Sequence, residues 1–158
     1  MRLKGSCHCS AVKFELDSAH PYPFNVCYCS VCRKTAGGGG YAINLGGDAE
    51  SLRIVEGADA ITCYQIRLGD GSASPCERRF CRFCGSALWV WDPRWPELIH
   101  PFASAIDSEL PVAPEQTHLM EAYKASWVQS CKGERDLSFQ EYPEESIAEW
   151  HQRLRLEQ

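Results

Sequence analysis

The sequence has no long run of apolar residues. No segment reaches the roughly 20 consecutive apolar residues that a membrane-spanning helix needs, so we expect no membrane partner. The first residues, Met1 to Cys7, also lack the apolar core of a signal peptide. These two features predict a cytoplasmic protein.

Basic charge is scarce as well. The 158 residues include 16 Lys and Arg against 21 Asp and Glu, which gives a formal net charge of −5. A general nucleic-acid binder presents a basic face to the phosphate backbone, so we expect no nucleic-acid partner. The four glycines from Gly37 to Gly40 have no phosphate-loop pattern around them.

Cysteine, by contrast, is abundant, with ten residues. A chain of this length can bury a core without disulfides, and reducing compartments disfavour them. Tight cysteine clusters in such a chain indicate metal or redox sites. The even number of cysteines leaves a disulfide framework, and with it a disulfide-linked redox protein, as an alternative.

The densest cluster is the stretch Cys27-Tyr28-Cys29-Ser30-Val31-Cys32. Three thiols this close can reach one metal ion from a single loop. Zinc takes four ligands at tetrahedral angles, and a catalytic zinc keeps one position open. Since no fourth ligand is evident nearby, the stretch predicts a zinc site with a free position.

Two cysteine pairs lie far apart in the sequence. Cys7 and Cys9 are separated by one residue, and on an extended chain their side chains would point to the same face. Cys81 and Cys84 have the spacing of a zinc knuckle. Because each pair supplies only half of a tetrahedral site, we predict that the four thiols bind one structural zinc.

The other cysteines and the histidines have less specific surroundings. We expect Cys63 to be a small buried residue in a strand, Cys76 to be a free thiol rather than a zinc ligand, and Cys131 to have no partner. His8 should lie on the surface, and His100 and His118 should be structural.

Basic residues follow the cysteine clusters. Arg33 and Lys34 come directly after Cys32, and Arg78, Arg79 and Arg82 surround the knuckle. Cations near thiolate-bound zinc offset its negative charge. Arg33 and Lys34 could alternatively bind the carboxylates of an anionic substrate, since arginine binds carboxylates with two hydrogen bonds. The sequence does not separate these two roles.

The hydrophobic pattern is mainly that of strands. Val12, Phe14 and Leu16 alternate with charged residues, and several further short apolar runs end at turn residues. We predict a mainly β fold of short antiparallel sheets in a single zinc-binding domain over 1–158. A strand is expected near Glu121 to Lys124, and a C-terminal helix over about 143–157, where acidic residues precede basic ones.

The cysteine motifs, taken in order, resemble those of the glutathione-dependent formaldehyde-activating enzyme family, which includes centromere-protein-V-like proteins. The resemblance extends to about Pro143, and it departs from the family at Ser10, where glycine is usual. The matching segments are Gly5-Ser6-Cys7-His8-Cys9, the triplet with Arg33, Phe80-Cys81-Arg82-Phe83-Cys84-Gly85-Ser86, and Pro114-Glu115-Gln116-Thr117-His118 with Lys124 and Trp127.

The resemblance implies an Mss-like β-tent with a zinc staple between the N-terminal strand and the middle of the chain. It implies two zinc ions per chain. The structural zinc takes Cys7, Cys9, Cys81 and Cys84, and the catalytic zinc takes Cys27, Cys29 and Cys32. The implied reaction is addition of glutathione to formaldehyde, which gives S-hydroxymethylglutathione.

These observations lead to one main functional hypothesis. The chain is expected to be a zinc-dependent carbon–sulfur lyase that acts on glutathione adducts, with a small thiol, glutathione, as its substrate. The alternative is a non-catalytic zinc module that binds a thiol or a protein partner. The sequence is compatible with an oligomer.

Overall fold

A computed structural model describes residues 1–156. It is mainly β, as predicted, with two short α-helices, α1 (Ser30–Thr35) and α2 (Ile147–Arg153). The twelve strands are β1 (Arg2–Ser6), β2 (Lys13–Asp17), β3 (Asn25–Cys27), β4 (Ala42–Ile43), β5 (Gly47–Asp48), β6 (Arg53–Glu56), β7 (Ile61–Tyr64), β8 (Glu77–Cys81), β9 (Ala87–Trp91), β10 (Leu98–Pro101), β11 (Thr117–Leu119) and β12 (Leu137–Ser138). Among these residues no helix has the length and apolar character needed to cross a bilayer.

The strands form three sheets. The first has the order β1-β2-β6 and the second β5-β10-β9-β8-β7, and all their pairs are antiparallel. The third has the order β12-β11-β3-β4, in which β11 runs parallel to both of its neighbours. Two parallel pairs therefore accompany the predicted antiparallel ones.

The largest core lies between the first and second sheets. The alternating residues Phe14 and Leu16 on β2 are buried, as their spacing predicted. Phe14 packs edge-on against Trp89 of β9, with ring centroids 5.0 Å apart. Cys7 and Cys81 belong to this same core, so one cysteine cluster begins where the two sheets meet.

The third sheet carries the other cysteine cluster. Cys27 ends β3 and pairs with Leu119 of β11, and Tyr28 donates its backbone N–H to the Leu119 carbonyl at 3.0 Å. Cys27, Cys32 and Phe102 share a small buried core. The backbone around this cluster is therefore fixed by sheet hydrogen bonds on one side and by packing on the other.

Helix α2 is shorter than the predicted 143–157. The Ser146 hydroxyl accepts the Glu149 N–H, and the Glu149 carboxylate accepts the Ser146 N–H. This capping box starts the helix at Ile147. Arg155, with φ of 56°, lies beyond its end, and position 157 of the predicted range lies outside the described residues. Trp150 anchors the helix by stacking on Phe24, with centroids 3.7 Å apart.

Two local predictions are wrong. The strand expected near Glu121 to Lys124 is a 3-10 helix over Glu121–Tyr123, because Met120 takes a left-handed conformation, with φ of 60°, and turns the chain after β11. Cys7 and Cys9 lie on a turn rather than an extended segment. Ser10 closes that turn, with φ of 61° and its N–H bonded to the Cys7 carbonyl at 2.9 Å. Glycine adopts this left-handed conformation most readily, and here Ser10 adopts it.

Candidate metal centres and the adjoining cleft

The thiols of Cys7, Cys9, Cys81 and Cys84 converge where the first and second sheets meet, and we call them the four-cysteine cluster. Their Sγ atoms all lie within 4.8 Å of one another. Cys7 follows β1, Cys81 ends β8, and Cys84 lies in the turn before β9. Cys7 and Cys81 are buried, whereas Cys9 and Cys84 are exposed.

Hydrogen bonds hold the sulfur atoms of this cluster in place. The Val12 N–H points at the Cys7 Sγ at 3.2 Å, and the Ser86 hydroxyl lies 3.2 Å from the Cys84 Sγ. The hydrogen bond from Ser86 lowers the pKa of Cys84 to about 5. Gly85, with φ of 74°, allows the tight turn between these residues. Cys84 therefore favours the thiolate, which is the form that binds metals.

The sulfur spacing fits a tetrahedral metal ion. With a metal–sulfur distance of about 2.3 Å, sulfur atoms at tetrahedral angles are about 3.8 Å apart. The Cys7 and Cys9 Sγ atoms are 3.6 Å apart, and the Cys9 and Cys81 Sγ atoms are 3.8 Å apart. These two distances match the tetrahedral value, so the four-cysteine cluster could hold one ion.

A second group, the three-cysteine cluster, consists of Cys27, Cys29 and Cys32, whose Sγ atoms also lie within 4.8 Å of one another. Cys29 is the N-cap of α1, and its Sγ accepts the Cys32 N–H at 3.3 Å. The short helix therefore brings Cys32 back towards Cys27. In the described chain no other His, Cys, Asp or Glu joins this group, so the cluster offers three ligands.

The three thiols also perturb one another. A hydrogen bond from the Cys27 thiol lowers the pKa of Cys29 strongly, and a smaller contribution comes from a hydrogen bond from Cys32. The same interaction raises the pKa of Cys27. Without a metal ion, one thiolate is thus stabilised at the expense of the others. A metal dication at the centre would allow all three to ionise.

Arg78 supplies a positive charge beside this cluster. Its side chain is buried on β8, and its Nη1 lies 3.8 Å from the Cys32 Sγ. A buried guanidinium needs a nearby negative charge. Three thiolates around a dication carry a formal charge of −1, so the donor set and Arg78 are complementary. Arg78 contacts the three-cysteine cluster, not the knuckle beside which it stands in the sequence.

A cleft of about 460 Å³ opens beside Cys27 and Cys32. This volume lies within the usual range of small-molecule sites. Arg94 stands on its wall, where Asp92 accepts two hydrogen bonds from the guanidinium, at 2.9 and 2.6 Å. Other polar lining residues are Asn25, Asn44, Cys76, Arg78, His100 and Tyr142.

His100 is the histidine on the cleft wall. Its Nδ1 lies 3.1 Å from the Leu45 carbonyl oxygen, and a carbonyl can only accept, so Nδ1 carries the proton. Burial lowers the pKa of His100, which keeps the ring neutral at pH 7. Within the described residues Nε2 has no hydrogen-bond partner, so His100 has a basic nitrogen available.

Arg33 and Lys34 lie on α1 but line a different cavity, of about 680 Å³, together with His8 and Ser86. Among the described residues, the buried Arg33 Nε has no hydrogen-bond partner. The two predicted substrate-binding residues therefore do not line the cleft beside Cys27 and Cys32. They share helix α1 with Cys32.

The remaining cysteines and histidines follow the predictions with one exception. Cys76 lines the cleft without joining the three-cysteine cluster, and Cys131 is exposed. Cys63 is exposed rather than buried, because β7 is the edge strand of its sheet. His8 is exposed, and His118 is buried with Tyr28 and Asp136 as partners.

Sequence reasoning missed the roles available to Arg78 and His100. Both lie far from the three-cysteine cluster in the sequence, and only the fold brings them to one cleft. Arg78 stands between Glu77 and Arg79 in a run of charged residues, which gave no sign that Arg78 is the buried one. His100 sits in an apolar run before a proline, which gave no indication of a cleft.

Comparison with known proteins adds independent information. Residues 2–125 match the family model described as glutathione-dependent formaldehyde-activating enzyme. A Halomonas elongata protein named "Putative glutathione-dependent formaldehyde-activating enzyme" is 63% identical over 158 residues, which cover 100% of this chain and 99% of that protein. The crystal structure of a Rhodobacter sphaeroides protein is similar with a TM-score of 0.53 and 29% identity, over 70% of this chain and 99% of that one. The chain belongs to the glutathione-dependent formaldehyde-activating enzyme family.

Proposed function

We propose that this chain is a zinc-dependent carbon–sulfur lyase of the S-(hydroxymethyl)glutathione synthase type, which joins glutathione to formaldehyde. The observation that carries this proposal is the three-cysteine cluster, two of whose ligands, Cys27 and Cys32, line a cleft of small-molecule size. Family membership supports glutathione and formaldehyde as reactants. We further propose that residues 1–158 form one zinc-binding domain.

The two clusters take different roles in this proposal. Cys7, Cys9, Cys81 and Cys84 hold a structural zinc, because four thiolates complete its coordination. Cys27, Cys29 and Cys32 hold a catalytic zinc. When bound there, zinc offers one open position and lowers the pKa of a thiol that occupies it.

The residues around the cleft then manage charge and protons. Arg78 offsets the negative charge of the thiolates from its position 3.8 Å from the Cys32 Sγ. The Nε2 of His100 accepts the proton of the glutathione thiol. The sulfur forms a bond to the formaldehyde carbon as the C=O π bond breaks, and His100 returns the proton to the new alkoxide oxygen. Holding both reactants in one cleft makes this addition effectively intramolecular.

Two sets of cations could bind the glutathione carboxylates. Arg33 and Lys34 are the sequence-based proposal, and they line the second cavity. Arg94 is the structure-based proposal, since it shares a cleft wall with Cys27 and Cys32. Its bond to Asp92 fixes the guanidinium there. We favour Arg94 because a glutathione whose sulfur reaches the three-cysteine cluster lies in that cleft.

Metal removal tests the two-site proposal. A mild chelator should remove about one zinc per chain from the three-cysteine cluster and leave the protein folded, because three thiolates bind less tightly than four and the open position admits the chelator. Glutathione should slow this loss by filling the fourth position. The measurements are zinc content and melting curves during dialysis. Loss of both zinc ions together, or no protection by glutathione, would contradict the proposal.

Three cysteine variants locate each ion. Cys29→Ser should lose one zinc and any acceleration of adduct formation, with an unchanged melting profile. Cys81→Ser should unfold or aggregate, because structural zinc contributes folding free energy directly. Cys131→Ser, at an exposed site outside both clusters, is the control. Protection by glutathione without rate acceleration would instead support a non-catalytic thiol-binding module.

His100→Asn tests proton transfer. Asparagine keeps an N–H near the Leu45 carbonyl but has no basic nitrogen, so kcat should fall about 10² to 10³-fold with zinc content unchanged. Because burial lowers the pKa of His100 from 6.5, the wild-type rate should hold down to pH 6.5 and decline only below it. His8→Asn is the matched control. A rate reduced less than threefold would exclude His100 as the proton carrier.

Alanine substitutions should separate the two carboxylate proposals. We expect Arg94→Ala to weaken glutathione binding about tenfold or more, as for loss of a charged hydrogen bond, and Arg33→Ala to weaken it less. Binding is measured by titration of the zinc-loaded protein, with zinc content checked in each variant. A larger loss in Arg33→Ala with zinc retained would reassign the carboxylate role to Arg33 and Lys34. Loss of zinc in Arg33→Ala would instead mean that the Arg33 charge stabilises the zinc-bound thiolates.

A further inference from the structure

A third cavity, of about 530 Å³, lies beside the cleft and is not lined by the three-cysteine cluster. We call it the apolar extension. It shares Leu98, His100, Leu119 and Ile147 with the cleft, so the two spaces adjoin each other. A ligand held at Cys27 and Cys32 can therefore place part of itself in the extension.

Apolar side chains form most of the wall of the extension. Leu119 and Phe24 are buried at its base. Trp95 and Leu98 stand at its edge and remain 51% and 38% exposed. Large apolar side chains left open to solvent beside a candidate catalytic site are typical of a binding surface. Trp95 is held in position by Arg94, whose guanidinium carbon lies 4.9 Å from the ring centroid.

The charges at the extension do not suit the carboxylate arms of glutathione. Its lining includes Glu144 and Glu145, and no Lys or Arg from residues 1–156. Glu145 is already paired with Arg153, at 2.6 Å. The peptide carboxylates are repelled here and attracted on the side of Arg78 and Arg94. A neutral, apolar group is the occupant that this lining favours.

With formaldehyde as the aldehyde, the extension has no role, because the adduct adds only one carbon to the sulfur. We propose that the extension receives the side chain of larger apolar aldehydes, so that the enzyme acts on glutathione adducts of alkyl or aryl aldehydes. This inference rests on the proposed function and specifies its substrate class. The bonds formed and broken are the same as with formaldehyde: the sulfur bonds to the aldehyde carbon, and the thiol proton moves to the aldehyde oxygen.

S-alkylglutathiones test this inference because they imitate the adducts and do not react. Each methylene that becomes buried should tighten binding about fourfold. S-hexylglutathione should therefore bind the zinc-loaded protein at least about 30-fold more tightly than S-methylglutathione, as measured by calorimetric titration. Comparing two ligands on one protein cancels any effect on the shared peptide.

A charged residue in the extension should abolish the preference. Ile147→Asp places a carboxylate in the wall at a helix N-terminus, where an acidic residue suits the helix dipole. We expect the affinity ratio to fall below about fivefold. Leu98→Ser, on an exposed strand position, should lower the ratio as well. It provides the same test if Ile147→Asp does not fold. Val112→Asp, at a residue 91% exposed outside the cleft, should leave the ratio unchanged.

The outcomes separate the two proposals. A wild-type ratio near one, while glutathione still protects the zinc of the three-cysteine cluster, would overturn the substrate class and leave the proposed function standing. That result would mean that the peptide itself fills the extension. Absence of glutathione protection would overturn the proposed function and this inference with it. A high ratio that Ile147→Asp and Leu98→Ser leave unchanged would place the alkyl chain outside the extension and also overturn the inference.

Discussion

Four sulfur atoms within 4.8 Å of one another join the first sheet to the second. Two of them, on Cys7 and Cys81, belong to the main apolar core, so this contact is part of the fold and not an addition to its surface. Thiolates at such distances repel one another unless a cation lies between them. The positions of β1, β8 and the turn before β9 therefore depend on how this charge is balanced.

The three-cysteine cluster also brings thiols close together, with one ligand fewer. Its sulfur atoms are held by the end of β3 and the first turn of α1, and Arg78 supplies a buried positive charge from the second sheet. Two of its ligands, Cys27 and Cys32, line the cleft that His100 and Arg94 also line. In the proposed function, a structural site and a reactive site thus use the same ligand chemistry, and the number of thiols distinguishes them.

The sequence predicted the features that depend on local spacing. Both cysteine groups, the alternation of Phe14 and Leu16, and the existence of a C-terminal helix could all be recognised without coordinates. Backbone conformations that single residues impose were missed, as at Met120, whose left-handed conformation replaces the expected strand with a 3-10 helix. The helix was predicted too long because charge patterns do not locate its first residue, whereas the Ser146 capping box does.

The lining of the cleft was out of reach for a different reason. Arg78 and His100 meet the three-cysteine cluster only through the packing of the second sheet against the third, and nothing in their own neighbourhoods points to it. Arg33 shows that sequence proximity does not place a side chain in the same cavity. It follows Cys32 directly, yet α1 turns its side chain towards another cavity.

The central claim is that the three-cysteine cluster holds a zinc ion whose fourth position accepts a substrate thiol. Zinc K-edge X-ray absorption of the protein with two zinc ions measures this directly, because it counts sulfur neighbours. Four sulfur ligands at one site and three at the other give an average of three and a half per zinc. Saturating glutathione should raise that average to four. An average that stays unchanged with glutathione bound would contradict the account.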